Sequence, residues 1–315
     1  MFDDRKIPVI NIVVDHPFYY HKFLPFLPKD YCQISIDREH EAYLQYYFPE
    51  IKRGLFLPLA GTSLWEEDTL PKWEERPYDV VFTGNYTPLS KFEPTIERHG
   101  KEYADFYYGI IEDFKKHPHL GMDIGIREHL LSEVEDITED GVKEMMPNMI
   151  MIDLYVRNYF RGKVVQTLVD AGVSVHCFGA GWEFLPCEHS ENLIKEGGVD
   201  SLACLQALSK AKVSLNVMPW FKDGAHDRVF NSMLNGAVCF TDWSRYLTEN
   251  LRDGEDIFFY ELDALECLPD MVQGILENRK KWEHMQKAAY ETAEKSHTWE
   301  HRAGAVHKEI LSKIR

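Results

Sequence analysis

The sequence predicts an α/β protein built from two parallel-sheet domains, the first of them short, and three observations predict it. Short β-branched runs alternate with helix-period segments, the pattern of parallel strands joined by crossover helices. A polar stretch at residues 62–77, rich in Glu and Trp and broken by Pro71 and Pro77, separates two such blocks. A chain of 315 residues also exceeds the size at which a single core usually stops growing.

In the first block, residues 7–14 form a β-branched run that empties into the loop Asp15-His16-Pro17, and residues 32–36 and 54–59 repeat the pattern. Residues 38–48 have helical spacing. Three strands make a thin sheet, so residues 1–61 read as a partial N-terminal domain, the end of a larger one. After the linker at 62–77, residues 78–315 read as a C-terminal domain. It starts with the strand Tyr78-Asp79-Val80-Val81-Phe82-Thr83, closing on Gly84-Asn85. A helical section over roughly 90–171 follows (93–117, 124–136 and 150–171) and is expected to pack across the interdomain cleft. Strand and helix then alternate: strand 173–178, helix 201–210, strand 213–217, helix 227–235, strand 237–241, helix 244–251, strand 256–260 and helices at 263–294 and 299–314. Such an order implies a doubly wound sheet that binds ligands at the carboxyl ends of its strands.

Composition narrows the function. The 35 basic and 52 acidic residues give a net charge of −17, which disfavours nucleic acid and anionic lipid as partners. Six cysteines without a C-x-x-C pair fit a reducing, cytoplasmic setting. The sequence holds no run of about 18 apolar residues to span a bilayer.

The chemistry concentrates in Lys222-Asp223-Gly224-Ala225-His226-Asp227-Arg228, just before an amphipathic helix that ends at Gly236. Unpaired N–H groups and the dipole at a helix start favour an anion, Arg228 and Lys222 add cations, and Gly224 permits close backbone approach. The same residues also fit an ordinary helix capped by Asp223 or Asp227, with Arg228 in a surface ion pair and Gly236 as C-cap.

Segment 213–242 resembles the donor-binding region of group 1 glycosyltransferases, which have the GT-B fold of two Rossmann-like domains. Their hallmark is a pair of Glu residues with seven residues between them. Asp223 falls on the first and Asn231 on the second, with Met233 and Gly236 on the Met and Gly that follow, and neither Glu is present. The form Arg228-Val229-Phe230-x-x-Met233-x-x-Gly236 is most similar to the spore-maturation-protein-like branch. Gly254-Glu255-Asp256-Ile257-Phe258-Phe259-Tyr260, His297-Thr298-Trp299-x-x-Arg302 and the turn Asp15-His16-Pro17-Phe18 resemble further parts of that branch.

The resemblance implies a bacterial-type glycosyltransferase that moves a hexose-like sugar from a nucleoside-diphosphate sugar, held by the C-terminal domain, to an acceptor on the N-terminal side. The acceptor class (glycan, lipid-linked, protein or small molecule) stays open. Retention of the anomeric configuration follows from the family rather than inversion. The expected donor-binding residues are Gly84, Asn85, Gly179, Lys222, Asp223, Gly224, His226, Arg228 and Asn231. By family position the first would contact the transferred sugar at Asp223 and the ribose at Asn231, while Phe178-Gly179-Ala180-Gly181-Trp182 resembles the turn beside the base. That turn is not a G-x-G-x-x-G fingerprint. Asp15 and His16, at a strand end, are expected to orient or deprotonate the acceptor; His16 also fits a purely structural loop position. His117 and His119 read as surface residues. No metal-ligand pairing stands in the sequence, so transfer without a metal ion or other cofactor is expected. A homo-oligomer is compatible with the sequence. The absent Glu pair keeps a non-catalytic nucleotide-sugar-binding or interaction protein as the alternative.

Overall fold

The computed structural model describes residue 5 and residues 7–314. The first few residues of the segment 1–61 and the last of 78–315 lie outside the described residues.

Strands β1 (Val9–Val13), β2 (Tyr31–Ser35) and β3 (Lys52–Phe56) form a three-stranded parallel sheet in that order. β2 is buried at every position, its polar residues Gln33 and Ser35 included. Helix α1 (Arg38–Tyr47) starts at Asp37, whose carboxylate accepts the Glu39 N–H at 2.8 Å, and turns Tyr43, Leu44 and Tyr47 into the core.

The second sheet has six parallel strands: β4 (Tyr78–Thr83), β5 (Val175–Phe178), β6 (Leu193–Gly197), β7 (Ala211–Asn216), β8 (Val238–Asp242) and β9 (Phe258–Tyr260). Their spatial order is β6-β5-β4-β7-β8-β9. The chain therefore builds outward from β4 in one direction and, from β7, in the other, so the topological switch lies between β4 and β7. β6 is the one strand that the sequence does not announce. It is a polar edge strand, Leu-Ile-Lys-Glu-Gly, with most of its residues solvent-facing.

Helices α2 (Glu93–Glu97), α3 (Lys101–Lys116), α4 (Met122–Glu133), α5 (Glu139–Met145) and α6 (Ile150–Asp170) make up the helical section. The segment 93–117 is two helices, parted at Gly100, where φ is +94°. This section does pack between the two sheets: one continuous core runs from Tyr43 and Phe48 through Tyr107, Met146 and Phe160 to Val80 and Phe82. Tyr46 on α1 donates to Glu139 on α5, and Lys143 donates to the Tyr47 carbonyl. The apolar side of these helices is thus covered within the chain.

Around the second sheet lie α7 (Ser201–Ser209), α8 (Asp227–Leu234), α9 (Arg245–Asn250), α10 (Leu268–Leu276), α11 (Arg279–Ser296) and α12 (Trp299–Ile314). The helix expected over 263–294 is split at Asn278, whose side chain caps α11 by accepting the Lys281 N–H at 3.1 Å.

Residues 62–77 are laid against the C-terminal unit. Thr62 and Leu64 donate to the side-chain carbonyls of Asn231 and Asn235, and Leu70 is buried. Arg76, 1% exposed, donates to the carbonyls of Pro71, Leu208, Ala211 and Asn235 and sits over Trp282. At the chain's other end, Arg302 on α12 donates to the carbonyls of Pro58 and Leu59, while Gly61 N–H donates to His297. These contacts fix the crevice between the two sheets.

Candidate active site at the switch point of the larger sheet

A cavity of about 370 Å³ opens at the carboxyl ends of β4 and β5, beside the switch point, where a doubly wound sheet is expected to hold its ligand. Thr83, Gly84 and Asn85 line it after β4, and Phe178 and Gly179 after β5. The start of α8 contributes His226, Asp227, Arg228 and Asn231; Ser201 and Cys204 on α7 and Trp299 on α12 close the far side.

Two glycines bring the β4 and β5 loops together. A Cβ on Gly179 would stand 2.2 Å from the Gly84 carbonyl oxygen. The contact is held by Gly84 N–H to Phe178 O at 2.8 Å and Trp182 Nε1 to Gly84 O at 2.8 Å. The Asn85 side chain accepts the Ala180 N–H at 2.9 Å, so its role in the loop is to pin this crossing.

Arg228 runs back from α8 beneath the loops. Its Nε donates to Thr83 Oγ1 at 3.2 Å and its Nη1 to Asn216 Oδ1 at 2.6 Å, so one guanidinium joins the ends of β4 and β7 across the switch point. Nη2 lies beside Gly84, 3.2 Å from where a Cβ would be. Arg228 is buried, against the ring of Phe82, and burial lowers its pKa. It does not form the surface ion pair that a simple capped helix would give it.

The cap of α8 is His226, whose Nδ1 accepts the Arg228 N–H at 3.1 Å. Neither Asp223 nor Asp227 fills that place. The imidazole nitrogen also lies 2.7 Å from Asp227 Oδ1. Burial, followed by repulsion from Arg228, holds His226 down to about 4, whereas Asp227, raised by its own burial, is held down at about 2 by its neighbours His226 and Arg228 together. At neutral pH the start of α8 therefore carries a neutral cap and an ionised carboxylate. Replacing His226 by Ala is expected to cost about 1 kcal/mol in thermal denaturation, with Asn restoring most of it.

Asn231, expected to meet the ribose, has both polar ends occupied: Oδ1 accepts the Thr62 N–H at 2.8 Å and Nδ2 donates to Asp227 Oδ2 at 3.1 Å. The acid that faces the cavity is Asp227, one turn earlier, with a side chain 41% exposed. Sequence reasoning passed over Asp227 as a helix cap and Trp299 as part of a motif; nothing local marks either as cavity-lining.

The structure brings Gly84, Asn85, Gly179, His226, Arg228 and Asn231 to one cavity, and places Lys222, Asp223 and Gly224 outside its lining. Those three are turned to the seam with the N-terminal unit. Asp223 accepts from Arg38 at 2.7 Å and Arg245 at 3.2 Å, and Gly224 forms an antiparallel bridge with Asp37, whose backbone a Cβ would strike. Lys222 is spent on the Pro118 carbonyl, and burial lowers it to about 8. On the N-terminal side, Asp15 is exposed and accepts from Tyr20 at 3.2 Å. His16 is 8% exposed; its Nδ1 accepts the Phe18 N–H and its Nε2 faces Asp123 at 3.9 Å, so it fills the structural position and not that of an acceptor base. His119, Glu261 and Asp263 bring three ligand atoms within 4.8 Å of one another at an exposed corner, away from the cavity lining.

Buried titratable groups set a pH dependence. His21, His226 and His297 are held down to about 4 by burial, and His16 and His40 are lowered as well. An unfolded chain takes up protons there below about pH 6.5 that the fold refuses, so stability is lost as pH falls from about 6.5 toward 4. Asp37 and Asp242, raised by burial to about 7, act in the opposite sense over pH 4–7. Burial raises Glu39 and Glu41 as well, and the five imidazoles outnumber these four carboxyls, so the net change is a loss. Denaturant midpoints are expected to be lower at pH 5 than at pH 7.5.

Comparison with known proteins places this geometry. Residues 161–308 match the family model described as glycosyl transferase-like. This part of the chain is similar to a glycosyl transferase-like domain. The chain superposes on the HepE protein of Anabaena in complex with UDP-glucose, with a TM-score of 0.53 and 9% identity over 98% of this chain and 73% of that one. It superposes on T4 phage β-glucosyltransferase in complex with UDP-glucose at 0.52 and 12%, covering 97% and 73%. For the pneumococcal O-GlcNAc transferase GtfA, in complex with UDP and GlcNAc, the values are 0.51 and 11%, covering 100% and 54%. The chain thus spans about half the length of the pneumococcal protein. At these identities the likeness establishes the fold, GT-B with two Rossmann-like units, in agreement with the sequence. No curated protein matches in sequence. Among the described residues no helix is long and apolar enough to cross a membrane.

Proposed function

We propose that this glycosyl transferase-like chain binds a nucleoside-diphosphate sugar, of the uridine class, in the switch-point cavity and transfers its sugar to an acceptor arriving from the N-terminal side. One observation carries the reading: Arg228 presents a buried cation between β4 and β7 at one end of the cavity, and the ionised Asp227 and exposed Trp299 stand elsewhere in its lining. A diphosphate fits the first, a ribose diol and a base the second and third. The family match over 161–308 supports sugar transfer in general, and the uridine nucleotides in the superposed complexes favour uridine.

In this reading Arg228 holds the diphosphate, and Gly84 and Gly179, without side chains, leave room for it to approach. As the glycosidic bond breaks, negative charge grows on the leaving phosphate, and donors fixed beforehand in a water-poor site stabilise that transition state more than the ground state. Asp15, exposed at the end of β1, takes the acceptor-orienting role in preference to His16. Retention, independence from metal ions and a cytoplasmic location belong to the same proposal; the anomer of the product and activity in a chelator test the first two.

The decisive experiment measures thermal stabilisation by UDP- and GDP-sugars, followed by release of the sugar. Stabilisation of several degrees by a UDP-sugar and slow hydrolysis are expected. A protein that no nucleotide stabilises would remove the proposal.

A further inference from the structure

Helix α6 carries Arg157 and Arg161 one turn apart, facing the seam between the two units and outside the cavity lining. Their guanidinium carbons lie 3.8 and 5.4 Å from the centroid of the Trp220 ring, so one indole supports two cations. Arg157 donates to Asp153 at 3.0 Å and to the Tyr19 hydroxyl of the N-terminal unit at 3.2 Å. Arg161 donates to the carbonyl of Asn85 at 3.1 Å, which ties it to the loop of the donor cavity. The Nε atoms of both are sealed from solvent and lack a hydrogen-bond partner.

Charge does not balance here. Arg228 lies close enough to repel Arg161, and burial with that repulsion lowers Arg161 to about 9. Asp153 is shared between Arg157 and the Tyr19 hydroxyl, while Asp227 is engaged by His226 and Asn231. A buried cation without its counter-charge and an unpaired buried donor are both costly to keep. A structural arginine normally has its donors satisfied, as the Nε and both Nη atoms of Arg76 are by four carbonyls. Planar guanidinium groups stacked on an aromatic face are suited to a carboxylate or phosphate.

We propose that Arg157, Arg161 and Trp220, with Tyr19 at the rim, form a second anion-binding subsite beside the donor cavity, for a phosphate or carboxylate group at the reacting end of the ligands. The group belongs to the donor's diphosphate, to an acidic transferred sugar, or to the acceptor. Only its assignment among these rests on the proposed donor reading.

Calorimetric titration of the full chain with inorganic pyrophosphate, UDP, UDP-glucose and UDP-glucuronate tests it, comparing the native protein with Arg161→Gln and Trp220→Leu. Native protein is expected to bind pyrophosphate saturably, Arg161→Gln at least tenfold more weakly, and Trp220→Leu several-fold more weakly. Equal weakening of UDP and both UDP-sugars assigns the subsite to the diphosphate. Weakening of UDP-glucuronate alone assigns it to the sugar carboxylate, and weakening of pyrophosphate alone to the acceptor. Native protein that binds pyrophosphate but no uridine nucleotide keeps the subsite and refutes the donor reading. If Arg161→Gln fails to fold, Arg161→Lys, which keeps the charge but loses the planar fork, is read in its place with several-fold weakening expected. Pyrophosphate and every nucleotide binding native and variant proteins alike, or none of them binding the native protein, overturns the proposal.

Discussion

Gly179→Ala is expected to lower the melting temperature by roughly 10 °C and to abolish nucleotide binding. The added Cβ would meet backbone on the opposite loop, 2.2 Å from Gly84 O, 2.5 Å from Gly84 C and 3.0 Å from Asn85 N. A flexible side chain could swing aside; a peptide group at a strand end cannot. Retreat on the far side is blocked as well, since Gly179 N–H donates to the Gly197 carbonyl on β6 at 2.7 Å. Relief must part β5 from β4, which strains the Gly84–Phe178 and Trp182–Gly84 hydrogen bonds together. Overpacking of about 1–3 kcal/mol plus two bonds of about 1 kcal/mol each gives roughly 3–5 kcal/mol. For a chain of this size each kcal/mol moves the midpoint by about 2–4 °C. Gly172→Ala is the control: its φ is +87° but nothing lies within 4 Å of an added Cβ, so it should cost only about 1 kcal/mol. Calorimetric scans of both variants decide the matter. A midpoint for Gly179→Ala within 2 °C of the control would show that the loop crossing yields and does not shape the cavity.

The contrast between these two glycines also shows what a sequence can disclose. Both end an element in the pattern of residues, yet only the fold reveals that another backbone crosses Gly179. Strand and helix order were legible because buried parallel strands write themselves as β-branched runs, whereas β6, an edge strand with a Lys-Glu-Gly end, offers solvent the same face as a loop. The candidate site was legible where local chemistry and position coincide, at Gly84, Gly179 and the start of α8. It diverges from the expectation at Lys222-Asp223-Gly224, because the continuous run 222–228 splits in space: Asp223 and Gly224 bond to the N-terminal unit, while His226, Asp227 and Arg228 line the cavity. Asn231 shows a subtler limit. Its alignment position is that of a ligand residue, but its two polar ends close on Thr62 and Asp227. Arg157 and Arg161, at the spacing of an exposed helical face, give no local sign of being drawn into the seam.

Arg228→Gln should weaken UDP binding by about a hundredfold and leave uridine binding nearly unchanged. The guanidinium reaches Thr83 and Asn216 at once, and its remaining Nη2 lies at Gly84. Glutamine is too short to join both strand ends, and it carries no charge. Loss of a charge-assisted contact to phosphate is worth about 1.5–3 kcal/mol, tenfold to somewhat more than a hundredfold in affinity. Stability should change less, by about 1–2 kcal/mol, because the orphaned Asn216 acceptor is offset by removal of a buried cation without an ideal ion pair. Transfer should suffer more than binding, since charge on the leaving diphosphate is greatest in the transition state; kcat therefore falls together with affinity. Arg228→Lys, charged but unable to bridge β4 and β7, should lie between. Titrations with uridine and UDP separate the two possible origins of any loss. Equal weakening of both ligands would mean that the substitution had disturbed the cavity as a whole, and the assignment of the diphosphate to the β4–β7 switch point would fall.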